Sequence, residues 1–252
     1  MALMDEFKEE REKIKNGTLK EKVNYFWDYY KWYVIVPLIV IIFLGTTIYQ
    51  KLTAPEIILN GVLLNTYNTN SDEGSQEVIN NFSELQKIDT KEYAVTLNTN
   101  MTFDVNDNSG TANYDSVQAL MAWVAAGSVD FICADHESLT DFAYNGYFVD
   151  LREYLTKEEI QKYEPYFLYI DTATSKALEE ALDDYDNDSF VSIPDCKEPE
   201  TMKDPIPVMI DFSKNAKLSK IYADADSLAL GIAANAPNKD RLLEFLDFLI
   251  EE

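Results

Sequence analysis

Histidine occurs once in these 252 residues and cysteine twice. That scarcity argues against a zinc centre, which draws most of its ligands from those two residue types. No Gly-x-Ser-x-Gly elbow, His-Glu-x-x-His pair, Gly-x-x-x-x-Gly-Lys-Ser/Thr loop or Ser-x-x-Lys motif is present. The familiar hydrolase, metalloprotease and nucleotide-hydrolysing signatures are therefore missing. A carboxylate pair for glycoside hydrolysis finds no positional support among so many acids. The chain reads as a non-enzyme, with no cofactor and no metal site. Cations are also scarce, 21 Lys and Arg against 45 Asp and Glu, for a net charge of -24. Residues 1–32 hold seven of each sign, leaving 14 cations against 38 acids beyond them. Such a surface repels the phosphates of nucleic acid, so no nucleic-acid partner is expected.

One stretch lacks charge altogether. From Trp32 to Gln50 the chain reads WYVIVPLIVIIFLGTTIYQ, and at 1.5 Å per residue this helix matches a hydrocarbon core of ~30 Å. Tyr25, Phe26, Trp27, Tyr29, Tyr30, Trp32 and Tyr33 ring its start, as the aromatic belt of a membrane interface does. No small-x-small cleavage site follows the apolar core, which sets it apart from a signal peptide. Pro37 removes one helix hydrogen bond and predicts a bend. Seven cations precede the run, from Lys8 to Lys31, and only Lys51 closely follows. The positive-inside rule then puts the N-terminus in the cytoplasm and residues 52–252 outside, with the lipid bilayer as a partner.

The expected organisation has four parts. Residues 1–31 form a cytoplasmic, charged juxtamembrane helical segment. Its first helix stops at Asn16-Gly17, and Thr18 to Glu21 has capping-box spacing that restarts a helix. Residues 32–50 span the membrane, 51–56 link, and 57–252 form an extracellular domain. In that domain strand patterns at 57–65, 93–103, 128–135, 189–194, 206–212 and 227–236 alternate with helical patterns at 75–88, 114–127, 173–185 and 238–252. Helical connectors of this length predict an α/β fold, an open parallel sheet with helices on both faces.

Three stretches carry a resemblance. AWVAAGSVDFICADHESLTDFAYNGYFVDLREYLTKEE (122–159), FVSIP (190–194) and LALGIAANAPNKDRLLEFLDFL (228–249) resemble the bacterial extracellular solute-binding proteins, receptors of sugar-type ABC importers. The first matches that family's G-x-x-D-hydrophobic strand, which leads into a helix. The last, and most specific, matches its closing G-I-x-x-N-x-x-N pattern. The resemblance covers most of 57–252 and implies a periplasmic-binding-protein-like fold that takes a small polar solute at its strand ends, beside a transporter or sensor partner. Two departures stand out. No cysteine precedes Cys133, where family members carry a lipid-anchored one. The chain from Pro55 onward is also short for two lobes, so a second lobe reduced to about 152–207 is expected. An assembly or scaffold role, in which the fold survives without a small-molecule site, is the alternative.

In an open parallel sheet, ligands sit beyond the carboxyl ends of the strands. Asn65, Tyr67, Asn98, Asp135, His136 and Asp211 are the candidates at those ends. Asp135 also precedes a helix, where its carboxylate can cap free N–H groups, so capping and ligand contact both stand. His136 falls in the first helical turn, where the helix dipole disfavours a positive charge, and reads as a surface or loop residue. Asp184, Asp186, Asp188 and Asp195 have calcium-loop spacing. Ser189 holds the glycine position and Pro194 obstructs a following helix, so the stretch reads as an acidic turn. An outside location permits a Cys133–Cys196 disulfide, although the two also read as independent thiols.

Overall fold

The computed structural model describes residues 18–104, 111–183 and 191–251. The charged helix expected before Asn16-Gly17 and most of the acidic 184–195 stretch lie outside the described residues. The chain divides between Ala54 and Pro55 into two compact units.

The first unit is dominated by α1 (Leu19–Thr53). Thr18 precedes it in extended conformation, and the Thr18 N–H donates to Glu21 Oε2 at 2.8 Å, as the capping-box spacing predicts. Residues Lys31–Lys51 are long and apolar enough to cross a membrane by length and composition. Pro37 lies inside α1. The hydroxyls of Thr46 and Thr47 donate back to the Phe43 carbonyl at 2.9 and 2.8 Å, and Thr53 does so to Tyr49 at 2.8 Å. These polar hydrogens need no outside acceptor. The helix stops where Pro55 forces Ala54 into extended backbone (ψ 133°).

In the second unit the chain runs β1 (Glu56–Leu64), α2 (Ser71–Leu85), β2 (Tyr93–Met101), α3 (Thr111–Ala125), β3 (Phe131–Asp135) and α4 (His136–Tyr144). It continues through α5 (Leu151–Tyr154), α6 (Lys157–Tyr163), β4 (Phe167–Asp171), α7 (Thr172–Asp183), β5 (Pro205–Asp211), β6 (Leu228–Ile232) and α8 (Lys239–Ile250). The six strands form one sheet in the order β2-β1-β3-β6-β5-β4.

The alternation of strand and helix is as expected, but the sheet is mixed. β1 pairs parallel with β2 and β3, whereas β3–β6, β6–β5 and β5–β4 are antiparallel. Parallel neighbours need a crossover element on a sheet face. The β5–β6 link holds only the 3-10 turn Leu218–Lys220, so the chain doubles back. The expected second lobe over 152–207 is likewise corrected, because β4 and β5 extend the same sheet. β4 has no counterpart among the strands read from the sequence. The strand read over 189–194 is absent at 191–194, where the chain runs beside β4 and the Tyr169 N–H reaches the Cys196 carbonyl at 2.8 Å.

Strand side chains alternate between two cores. On one face Leu59, Leu63, Phe131 and Leu230 pack with Phe82 of α2 and Leu242, Phe245, Leu246 and Leu249 of α8. On the other, Val62, Ile132, Ala134 and Met209 pack with Leu120 and Val124 of α3 and Leu139 and Phe142 of α4. Gly61 is obligatory, since a Cβ there would sit 2.2 Å from the Phe131 ring.

Asp130, fully buried, ties the centre together. Its carboxylate accepts the Asn60 N–H at 2.8 Å, the Asn238 N–H at 2.9 Å and Asn238 Nδ2 at 3.1 Å. The first bond fixes β1 beside β3 and the other two seat the start of α8. Asp130→Ala strands two backbone donors and should lower unfolding free energy by about 2–5 kcal/mol. Leu246→Ala should cost a similar ~2–5 kcal/mol by leaving a cavity. Urea unfolding of residues 55–252 measures both, and an unchanged midpoint for either variant would contradict this packing.

Candidate functional site

Strand directions put several candidates on one rim. β1 and β3 end there, and the antiparallel β6 begins there, with Asp135 opposite Leu228. β5 runs back to the same edge, where Asp211 pairs with Ala229. Asn65, Tyr67, Asp135, His136 and Asp211 therefore share the rim. Asn98 does not join them. It lies within β2 opposite Val62, and its Oδ1 accepts the Asn100 N–H at 3.0 Å.

Asp135 caps α4 from extended backbone (φ -62°, ψ 157°), and its Oδ1 accepts the Ser138 N–H at 2.9 Å. Its Oδ2 accepts Ser138 Oγ at 2.8 Å and Asn65 Nδ2 at 3.3 Å. Asn65 is a clip. Its Nδ2 donates to the Phe103 carbonyl at 2.7 Å and its Oδ1 accepts the Phe103 N–H at 2.8 Å, which fixes the chain leaving β2 against the end of β1. Asn65 and Tyr67 take left-handed backbone, with φ of 59° and 45°. Asparagine tolerates that region, whereas for tyrosine it is costly. Tyr67 is exposed, with its hydroxyl 3.3 Å from Asn65 Oδ1.

His136 turns inward, contrary to its reading as a surface or loop residue. Its Nε2 lies 3.2 Å from Asp211 Oδ1 and 3.2 Å from the Leu228 carbonyl. Both are pure acceptors, and the Ser213 hydroxyl 3.4 Å away spends its hydrogen on Asp211, so Nε2 carries the hydrogen. Asp211 also accepts the Ser213 N–H at 2.9 Å and the Ser213 hydroxyl, and pairs with Lys197 Nζ at 3.0 Å. Burial works to raise the Asp211 pKa, but the Ser213 donors, Lys197 and His136 outweigh it and hold the carboxyl below its ordinary value. Both rim carboxylates are thus occupied by the protein's own donors. Among the described residues no cluster of His, Cys, Asp and Glu could hold a metal ion.

Among the described residues three hollows border α4. One of about 170 Å³ lies beside Asn65, Tyr67, Asp135 and Glu137. A second, about 360 Å³, lies between His136, Thr140 and Asp141 of α4 and the chain at Ile193–Cys196. The largest, about 680 Å³, is walled by α4, β4, β5 and α7. Asp141 and Ile193 line both larger hollows. Among the described residues the Asp141 carboxylate has no hydrogen-bond or ion-pair partner, and burial raises its pKa. Sequence reasoning passed over Asp141. The available signal was an acid set between the core residues Leu139 and Phe142.

Cys133 and Cys196 are free and buried. They belong to the cores on opposite sheet faces, so the sheet itself separates them and they do not pair. Burial pushes the Cys133 thiol up to about 12, which leaves it unreactive.

No protein-family model and no curated protein matches this chain. Among solved structures it is similar to an ABC substrate-binding protein from Listeria monocytogenes in complex with cycloalternan, at 14% identity and a TM-score of 0.26. The match covers 54% of this chain and 36% of that one. A superposition at that score does not establish a shared fold.

The Asp211 network has a pH signature. A carboxyl held below its ordinary value contributes stability fully above its unfolded pKa, about 3.9. That contribution is lost as pH falls through the lower, folded-state value. Asp211→Asn should therefore lower stability at neutral pH and flatten the loss of stability below about pH 4. Thermal melts of both proteins from neutral pH down to about pH 2 test this, and parallel curves throughout would rule it out.

Proposed function

We propose that the chain is a single-pass membrane protein whose outer domain recognises a ligand without transforming it. The observation that carries the reading is the pair of adjoining hollows on α4, with an unpaired, half-buried acid between them. Their sizes fall in the range of small-molecule sites, which run to roughly 300–1,000 Å³. The solute-binding-protein resemblance of 122–159 and 228–249 supports the same class. A small polar solute is the ligand, and a transporter or sensor beside the domain is the partner that reads its occupancy.

Several features support a non-catalytic role. Catalytic motifs are lacking in the sequence, and the sole histidine is engaged as a donor toward Asp211 and a carbonyl. A scaffold role has one observation in its favour. Both rim carboxylates are satisfied internally, so the rim holds together without a ligand. A thermal-shift screen of residues 55–252 against sugars, amino acids, amines and small peptides separates the readings. Capture predicts stabilisation by at least one class, of about 2.7 kcal/mol at a hundredfold excess over Kd. If no class moves the melting temperature, capture is wrong and the scaffold reading stands.

The same proposal fixes the topology, with residues 1–31 cytoplasmic and 57–252 outside. It rests on the seven cations before the apolar run and the single Lys51 just after it. Protease added to intact spheroplasts should digest or release the outer domain and spare the N-terminal segment. The opposite pattern reverses the orientation.

A further inference from the structure

The largest hollow also carries a charge imbalance. Among the described residues its charged lining residues are Asp141, Lys176 and Glu179, two acids and one base. The remaining wall is largely apolar, with Phe148 from the chain after α4, Ile170 from β4, and Ile206 and Val208 from β5. Asp141 is half-buried, whereas Glu179 is exposed; neither has a hydrogen-bond or ion-pair partner among the described residues, and Asp141 stands where the hollow meets its smaller neighbour. Solvent reaches the Asp141 carboxylate, and a ligand that supplies both a charge and N–H groups replaces that water with charge-assisted hydrogen bonds. An anion would meet repulsion from Asp141, the hollow's half-buried charge. The excess of acids over the rest of the chain also raises the local concentration of small cations.

We infer that the hollow between α4 and α7 binds an organic monocation, a protonated amine on an apolar body, with Asp141 as its counter-ion. This deepens the recognition reading and rests on it. The ammonium donates to the Asp141 carboxylate, and the apolar body lies against Ile170, Ile206 and Val208. Lys176 and Glu179 are exposed on the same wall, which leaves Asp141 as its half-buried charge.

Three probes with the same ring and different head groups test the assignment on the full chain in detergent micelles. They are phenethylamine, the neutral 2-phenylethanol and the anionic phenylacetate. Phenethylamine should raise the melting temperature and give a saturable calorimetric isotherm, with affinity at least tenfold above the alcohol and no binding of phenylacetate. Asp141→Asn should fold and weaken amine binding tenfold or more, while leaving the alcohol unchanged. Lys176→Gln removes the cation from the lining and should tighten amine binding severalfold, which provides a check should Asp141→Asn fail to fold. Equal binding of amine and alcohol, or indifference to both substitutions, overturns the monocation assignment. It leaves general recognition standing if another solute class binds. Absence of binding by these probes and by every class in the solute screen overturns both.

Discussion

A single buried carboxylate organises the middle of the second unit, residues 55–252. Asp130 stands at the start of β3 and is bonded to the backbone of β1 and to the backbone and side chain of Asn238 before α8. Its own carbonyl accepts the Ala233 N–H just past β6 at 3.0 Å. One residue thus sets the spacing of β1, β3 and β6 and places the helix that covers them. Desolvating a carboxylate is expensive unless donors replace the lost water. Here three donors from two distant segments do so, which makes the arrangement specific as well as stable. The rim follows from it, because the order and register of these strands decide what stands beside Asp135.

Much of the architecture was legible locally. α2 and α8 are amphipathic, and the buried runs of β1, β3 and β6 stand out as apolar stretches between turn residues. Thr18 to Glu21 marked the start of α1 by its capping spacing. β4 was not legible, because Phe167–Asp171 is five residues long and follows directly on the helical pattern of 157–163. The direction of β6 was hidden for a different reason. Local pattern shows that a segment is buried and extended, but not which strand it joins or which way it runs. The strand–helix alternation, read as a parallel sheet, gave the wrong sense for three of its five pairings.

The candidate site divides along the same line. Residues next to strand ends could be read from position, and Asn65, Asp135, His136 and Asp211 do gather on the rim. Their hydrogen bonds could not be read, and these change the meaning of the gathering. Asn65 holds the chain after β2, Asp135 caps and clips, and Asp211 is surrounded by donors. These groups brace one another. The half-buried acid Asp141 owes its surroundings to β4, β5 and α7, which are remote in sequence and whose approach to α4 no local pattern announces.

The place of β6 governs the order in which the sheet can be completed. It lies between β3 and β5 yet is made from residues 228–232, after all five other strands. Until it arrives, β2-β1-β3 and β5-β4 share no backbone hydrogen bond, and β3 and β5 each present a bare, apolar edge. Such edges are templates for pairing with other chains. A nascent chain that emerges from its N-terminal end carries both open half-sheets until one short segment closes them, a connection of high contact order that is slow to form. The strand that makes the domain one body is thus also the one whose lateness exposes the domain to misassembly.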